Sequence, residues 1–143
     1  MHRTCALAGL LLVATSCDGP TSSEQDPAAG TYVLATVEGK AVPHVEWSGI
    51  SGYSTITSGE ITLRPDHTYR DVVQRTHYIR SPAQVIQEHD TVQGRYRVEG
   101  SRLVLTAADG SADTLAVQGA AVTRMAPIIS SGPSNPVVWS YIR

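Results

Sequence analysis

Phenylalanine is absent from the 143 residues, so every aromatic side chain is one of 6 Tyr or 2 Trp. Neither sign of charge dominates: 11 Lys+Arg against 13 Asp+Glu leave a net charge of -2. That balance removes the general electrostatic attraction that draws proteins to nucleic acid, and no nucleic-acid partner is expected. There is no Gly-x-Ser-x-Gly elbow, no glycine-rich phosphate loop and no His-x-x-x-His or His-x-His spacing. Those gaps take away the usual signatures of a serine hydrolase, a nucleotide site and a histidine-held metal. Cysteine occurs only at Cys5 and Cys17.

What is present suits one folded domain. The length fits a single unit, and 41% hydrophobic residues are enough for a core. The chain opens with His2 and Arg3, then the apolar run Ala6–Ala14. That run is of signal-peptide length and falls short of the roughly 20 residues that span a bilayer. Small residues Ala14, Thr15 and Ser16 then lead directly into Cys17.

Val13-Ala14-Thr15-Ser16-Cys17 resembles the lipobox of bacterial lipoproteins, with Ala14 where Leu is commonest. The resemblance implies cleavage before Cys17 and lipid attachment to it. Export and anchoring in the cell envelope follow, with several acyl chains giving a hold that one chain does not. Cleavage removes Cys5 and uses Cys17, so no thiol is left for a disulfide, a redox pair or a nucleophile. Asp18 resembles the inner-membrane retention signal of enteric bacteria; inner and outer membrane both stay open. Residues 17–29 then read as lipidated cysteine and flexible tether, because Asp18–Ala28 lacks large apolar residues and is rich in turn formers.

From Gly30 to Arg143 the pattern is β. Glu60–Arg64, Gly94–Glu99, Leu103 with Leu105, and Leu115 with Val117 alternate apolar and polar. Tyr32–Val37, Tyr69–Tyr78, the surroundings of Val122, and Pro136–Ile142 complete about eight strands. Pro65–Thr68 and Ala108–Ser111 read as turns. Val-x-Gly-x-x-aliphatic recurs three times, at Val37–Val42, Val98–Leu103 and Val117–Val122, which argues for successive antiparallel hairpins. The best helix candidate is the short Pro82–Glu88. The expected fold is an all-β, antiparallel up-and-down barrel, with Tyr32, Leu34, Ile61, Leu63, Tyr96, Val98, Leu103, Leu105, Leu115 and Val117 buried. Gly30–Leu34 with Val37–Lys40, Gly59–Leu63, and Gly94–Gly100 with Leu103 and Leu105 resemble the bacterial lipocalin-like lipoproteins. That family implies a small calycin-type barrel behind a lipobox, mostly without known function. The family's Asp-Gly-Thr turn is here Asp66-His67-Thr68.

Candidate chemistry is sparse. His44 and His67 stand alone; His77 and His89, with Glu88 and Asp90, approach one another if a hairpin turns through Ser81–Glu88. Glu60 and Asp71 make a carboxylate pair if they share a face, but the register of residues 69–78 is open. Arg70, Arg75, Arg80, Arg95, Arg97 and Arg102 form either a basic patch or cross-strand partners of Glu88, Asp90 and Glu99. Trp47–Ser58 and Met125–Pro136 read as rim loops. Trp139 and Tyr141 share a face and close the core. Ala35, Thr36, Ala116 and Ser140 permit a cavity, whereas Tyr69, Tyr96 and Trp139 fill one. The expected function is a non-enzymatic module, without cofactor or metal, that binds a small apolar ligand. The alternatives are an envelope protein-interaction or inhibitor barrel acting through its loops, and a hydrolase with an unrecognised site.

Overall fold

Strand β1 (Gly30–Val37) illustrates how the pattern builds the wall: Tyr32 and Leu34 turn inward while Thr31 and Val33 face out. A bulge between Leu34 and Thr36 resets the parity and brings Val37 inward. The computed structural model describes residues 26–127 and 136–143. Residues 1–25, which hold the expected signal peptide, Cys17 and most of the expected tether, and the middle of Met125–Pro136 lie outside the described residues.

After β1 come β2 (Lys40–Ala41), β3 (His44–Gly49), β4 (Gly52–Leu63), β5 (Thr68–Arg80), β6 (Ala83–Glu99), β7 (Arg102–Ala107), β8 (Ala112–Gln118), β9 (Ala121–Pro127) and β10 (Pro136–Ile142). Every pairing is antiparallel. Strand β1 bonds β4 through its first half and β10 through its second. Those two seams close β1 and β4 to β10 into an eight-stranded up-and-down barrel of lipocalin-like architecture. Strands β2 and β3 are appendages, paired with β1 and β4 respectively.

The three Val-x-Gly repeats are hairpin turns, with Gly39, Gly100 and Gly119 at φ 74°, 62° and 60°. In the last two, Val98 faces Leu103 and Val117 faces Val122 across the ladder. His67 takes φ 61°, the left-handed conformation a glycine would take. The Asp66-His67-Thr68 turn therefore keeps its geometry at the cost of some backbone strain.

Trp139, Tyr32, Tyr141, Leu34, Ile56, Ile61, Leu103, Leu105, Leu115, Val37 and Val122 are fully buried, and Tyr69 and Tyr96 join them. Each such side chain contributes roughly 1.5–3 kcal/mol through burial. The filling residues prevail: Ala35, Thr36 and Ser140 are only partly buried, and Ala116 faces out. One end is stopped by residues 26–29. Ala28 and Ala29 are buried, Tyr32 donates its hydroxyl to the Ala28 carbonyl at 2.9 Å, and Arg143 donates to the carbonyls of Pro27 and Ala29. Residues 26–29, read from sequence as the end of a tether, thus pack against the barrel.

Four expectations are corrected. Pro82–Glu88 is no helix: Pro82 lies in the turn and Ala83–Glu88 is the start of β6. The hairpin reverses at Ser81-Pro82, with Arg80 opposite Ala83. Trp47–Ser58 is mostly the β3–β4 hairpin rather than a loop; its Ser and Thr residues hide an alternation in which Ser54 and Ile56 are buried. Val98 keeps the inward parity of Tyr96 but stands at the rim, 43% exposed, beyond the last covering layer.

The wall is uneven. Strand β6 bonds β5 from Ala83 to Arg95 but meets β7 only from Gly94 onward. The upper parts of β3, β4, β5 and β6 consequently rise past the short β7–β8 hairpin as a four-stranded arm.

Candidate functional site

The inward face of β5 carries Tyr69, Asp71, Val73, Arg75 and His77, which settles the open register. Where the arm rises above the β7–β8 hairpin, Tyr69, Asp71, Val92, Leu105, Asp113 and Arg124 line a chamber of about 180 Å³. It is the polar continuation of the packed interior.

Arg124 of β9 is the hub. Its guanidinium bonds the Asp71 carboxylate, lies 3.7 Å from Asp113, and packs 5.2 Å and 5.4 Å from the ring centres of Trp139 and Tyr141. Burial opposes its charge, but Tyr141, Asp71 and Asp113 together hold it protonated above the ordinary arginine range. Burial pushes the Asp71 carboxyl up, and Arg124 only partly offsets this. Tyr69 is pushed up by burial and then by the fields of Asp71, Asp113 and Asp109. Asp71 Oδ1 and Arg124 Nε are both buried without a hydrogen-bond partner among the described residues.

Higher on the same inner face, Arg75 pairs with Glu46 at 3.3 Å and with Asp90, and Ser54 donates to Glu46 at 3.2 Å. His77 Nε2 lies 2.8 Å from Glu88. Carboxylates from Glu46, Asp71, Glu88, Asp90 and Asp113 thus outnumber the guanidinium groups of Arg75 and Arg124. Glu46 and Asp71 are buried, whereas Glu88, Asp90 and Asp113 are about half exposed, so the excess gives the open end a negative but solvent-screened rim.

Several sequence candidates do not come together. Glu60 stands opposite Val72 on the outer face, whereas Asp71 stands opposite Ile61 on the inner one, so they form no catalytic pair. His89 is opposite Gln74 and lines an outer depression with Glu60 and Arg70, on the wall face opposite to His77. His44 and His67 contact Glu38 and Asp26 at 3.9 Å and 3.4 Å. No group of three or more His, Cys, Asp or Glu among the described residues is arranged to hold a metal ion. Arg75 faces inward while Arg70, Arg95 and Arg97 face out, so the arginines make no single patch. Of the expected cross-strand pairs Arg75–Asp90 is present, and Arg97 bonds Glu99 on its own strand at 2.6 Å.

Sequence reasoning passed over Arg124 and Glu46. Arg124 had a legible signal, since Val122, Arg124 and Ala126 share parity on one strand. Glu46 sits in the bulge of β3 between Val45 and Trp47, within a stretch whose composition reads as loop. No helix among the described residues is long and apolar enough to cross a membrane. The chain matches no protein-family model, no curated protein sequence and no solved structure.

Proposed function

We propose that this chain is a lipid-anchored, non-enzymatic binding barrel of the bacterial cell envelope, held by acyl chains on Cys17. Its ligand is a small organic cation, such as a short alkyl amine, taken into the chamber at the open end. The carrying observation is the acidic chamber lined by Asp71, Asp113 and Arg124 above an interior filled with side chains. An ammonium group offsets the carboxylate excess, and Tyr69, Val92 and Leu105 offer an apolar wall to its alkyl part. The filled interior moves the ligand away from the apolar guest that the sequence suggested. At about 180 Å³ the chamber is smaller than the roughly 300 Å³ that an ordinary drug-sized ligand requires.

The test has two arms. Cys17→Ser is expected to abolish acyl labelling and to release the protein from membrane fractions. A wild-type protein found wholly in the soluble fraction overturns the anchoring. For the ligand, thermal unfolding is followed against short alkyl amines, matched carboxylates and fatty acids. Amines are expected to raise Tm with saturation, and Asp113→Asn to weaken that rise by about tenfold in concentration. A response to fatty acids alone, or an amine response indifferent to Asp113→Asn, overturns the ligand.

A further inference from the structure

From Ala83 to Gln93, β6 has β5 on one side and, among the described residues, no strand on the other, and all eleven residues are exposed. The direction of the free backbone groups follows from two hydrogen bonds. The Gln93 carbonyl accepts from the Ala108 amide on the β7 side, and the Tyr96 amide donates to the His67 carbonyl on the β5 side. Odd-numbered residues therefore point away from β5, which leaves the N–H and C=O groups of Ala83, Val85, Gln87, His89 and Thr91 along the open edge. Its blunting devices are few: Glu88 and Asp90 are charged but turn inward to His77 and Arg75 rather than toward the edge. The segment contains no Pro and no Lys, and its register with β5 runs unbroken from Arg80–Ala83 to Thr68–Arg95.

We propose that this edge pairs with the same edge of a second copy of this chain, antiparallel, about a twofold axis through Gln87. Among axes through the residues whose N–H and C=O groups line the edge, the side chains favour that register. A twofold axis joins residues of the same edge parity, as an antiparallel ladder requires. With the axis at Gln87, Val85 faces His89 of the partner subunit and Ala83 faces Thr91 of the partner subunit. Gln84, whose amide donates, then faces the carboxylate of Asp90 of the partner subunit, and Ile86 faces the stem of Glu88 of the partner subunit. No like charges stand directly opposite. Moving the axis to His89 sets Glu88 against Asp90 twice, which is unfavourable. Moving it to Val85 shortens the ladder to residues near the Ser81-Pro82 reversal. The stacked rings of Tyr53 and Tyr78, 5.2 Å apart, sit beside Val85 on the outer face and extend an apolar stripe to the shared edge. The dimer joins two four-stranded arms into one continuous sheet.

The test uses the full chain in mild detergent, with mass measured by sedimentation across a concentration series. Wild type is expected to pass from monomer to dimer with rising concentration. Gln87→Pro removes an N–H that the β5 ladder does not use, and Val85→Lys with His89→Lys sets ammonium groups opposite one another across the axis. Each is expected to weaken dimerisation by about tenfold or more while circular dichroism and Tm at low concentration stay unchanged. Gln87→Cys is expected to form a cross-chain disulfide, because a hydrogen-bonded antiparallel pair lies about 5.5 Å apart between Cα atoms. Gln84→Cys, displaced from the axis, is expected to form none with its own copy. A wild type that stays monomeric throughout, or a dimer indifferent to both edge variants, overturns the proposal.

Discussion

Arg124 shows how one residue ties the core to the open end. It is held between Asp71 and the rings of Trp139 and Tyr141, with little contact with solvent. The two members of its ion pair are not equivalent. The raised Asp71 carboxyl means that its burial cost exceeds what Arg124 returns, so neutralising Asp71 is tolerated better than removing Arg124. Arg124→Met leaves a buried carboxylate alone and is expected to cost about 3–5 kcal/mol at neutral pH. Asp71→Asn is expected to cost less, because Asp113 and both rings still face the guanidinium. The sign of the pH dependence separates the variants. In Arg124→Met the folded Asp71 binds its proton more tightly than the unfolded one, so stability is lowest at neutral pH. It returns as pH falls toward the ordinary value of 3.8. Urea unfolding at pH 7 and pH 5 checks this; a cost that grows on acidification refutes it.

At the scale of elements, the turns were legible and the arm was not. Asp66 and Asp109 use the same device: one carboxylate oxygen accepts the backbone N–H and the hydroxyl two residues on. The distances are 3.0 and 2.6 Å to Thr68, and 2.9 and 2.6 Å to Ser111. Local sequence carries such turns, since Asp followed two residues later by Ser or Thr is sufficient. Those hydrogen bonds, the side-chain ones first, hold both carboxyls below the ordinary 3.8. Their stabilisation is present above that value and is lost as pH falls through the lowered folded values. Replacing both with Asn is therefore expected to flatten the acid limb of a stability profile below about pH 4, measured by thermal unfolding. Strand β6 was hidden for the opposite reason. An edge with no buried face needs no alternation, so the adjacent Val85 and Ile86, one on each face, obscured its period. In the β3–β4 hairpin, Ser54 occupies a fully buried position and bonds Glu46, a polar contact that hydrophobic patterning does not register.

Across the whole molecule, the two ends of the barrel divide the work. At the closed end, Tyr96 donates to Asp26 and shares contact with the Arg64 carbonyl, both at 2.8 Å, while Asp26 also caps the Ala28 amide at 2.9 Å. These contacts latch the segment before β1 under the barrel. The composition of that segment suggested only a tether, because its two buried alanines are too small to signal a core. The open end carries the chamber and contributes carboxylates that are costly to bury. Asp26→Ala is therefore expected to lower stability by about 2 kcal/mol, by removing a charge-assisted bond to Tyr96 and the Ala28 cap. It leaves the concentration of amine needed to raise Tm unchanged. Asp113→Asn, half-exposed at the chamber, is expected to do the reverse: little change in stability without ligand and a weakened response to amine. The two carboxylates share no hydrogen-bond or ion-pair partner, so the double variant is expected to show the sum of both effects within about 0.5 kcal/mol. Urea unfolding with and without amine measures all four proteins. A marked excess over that sum indicates that the closed end positions the chamber, and the division of labour between the ends fails.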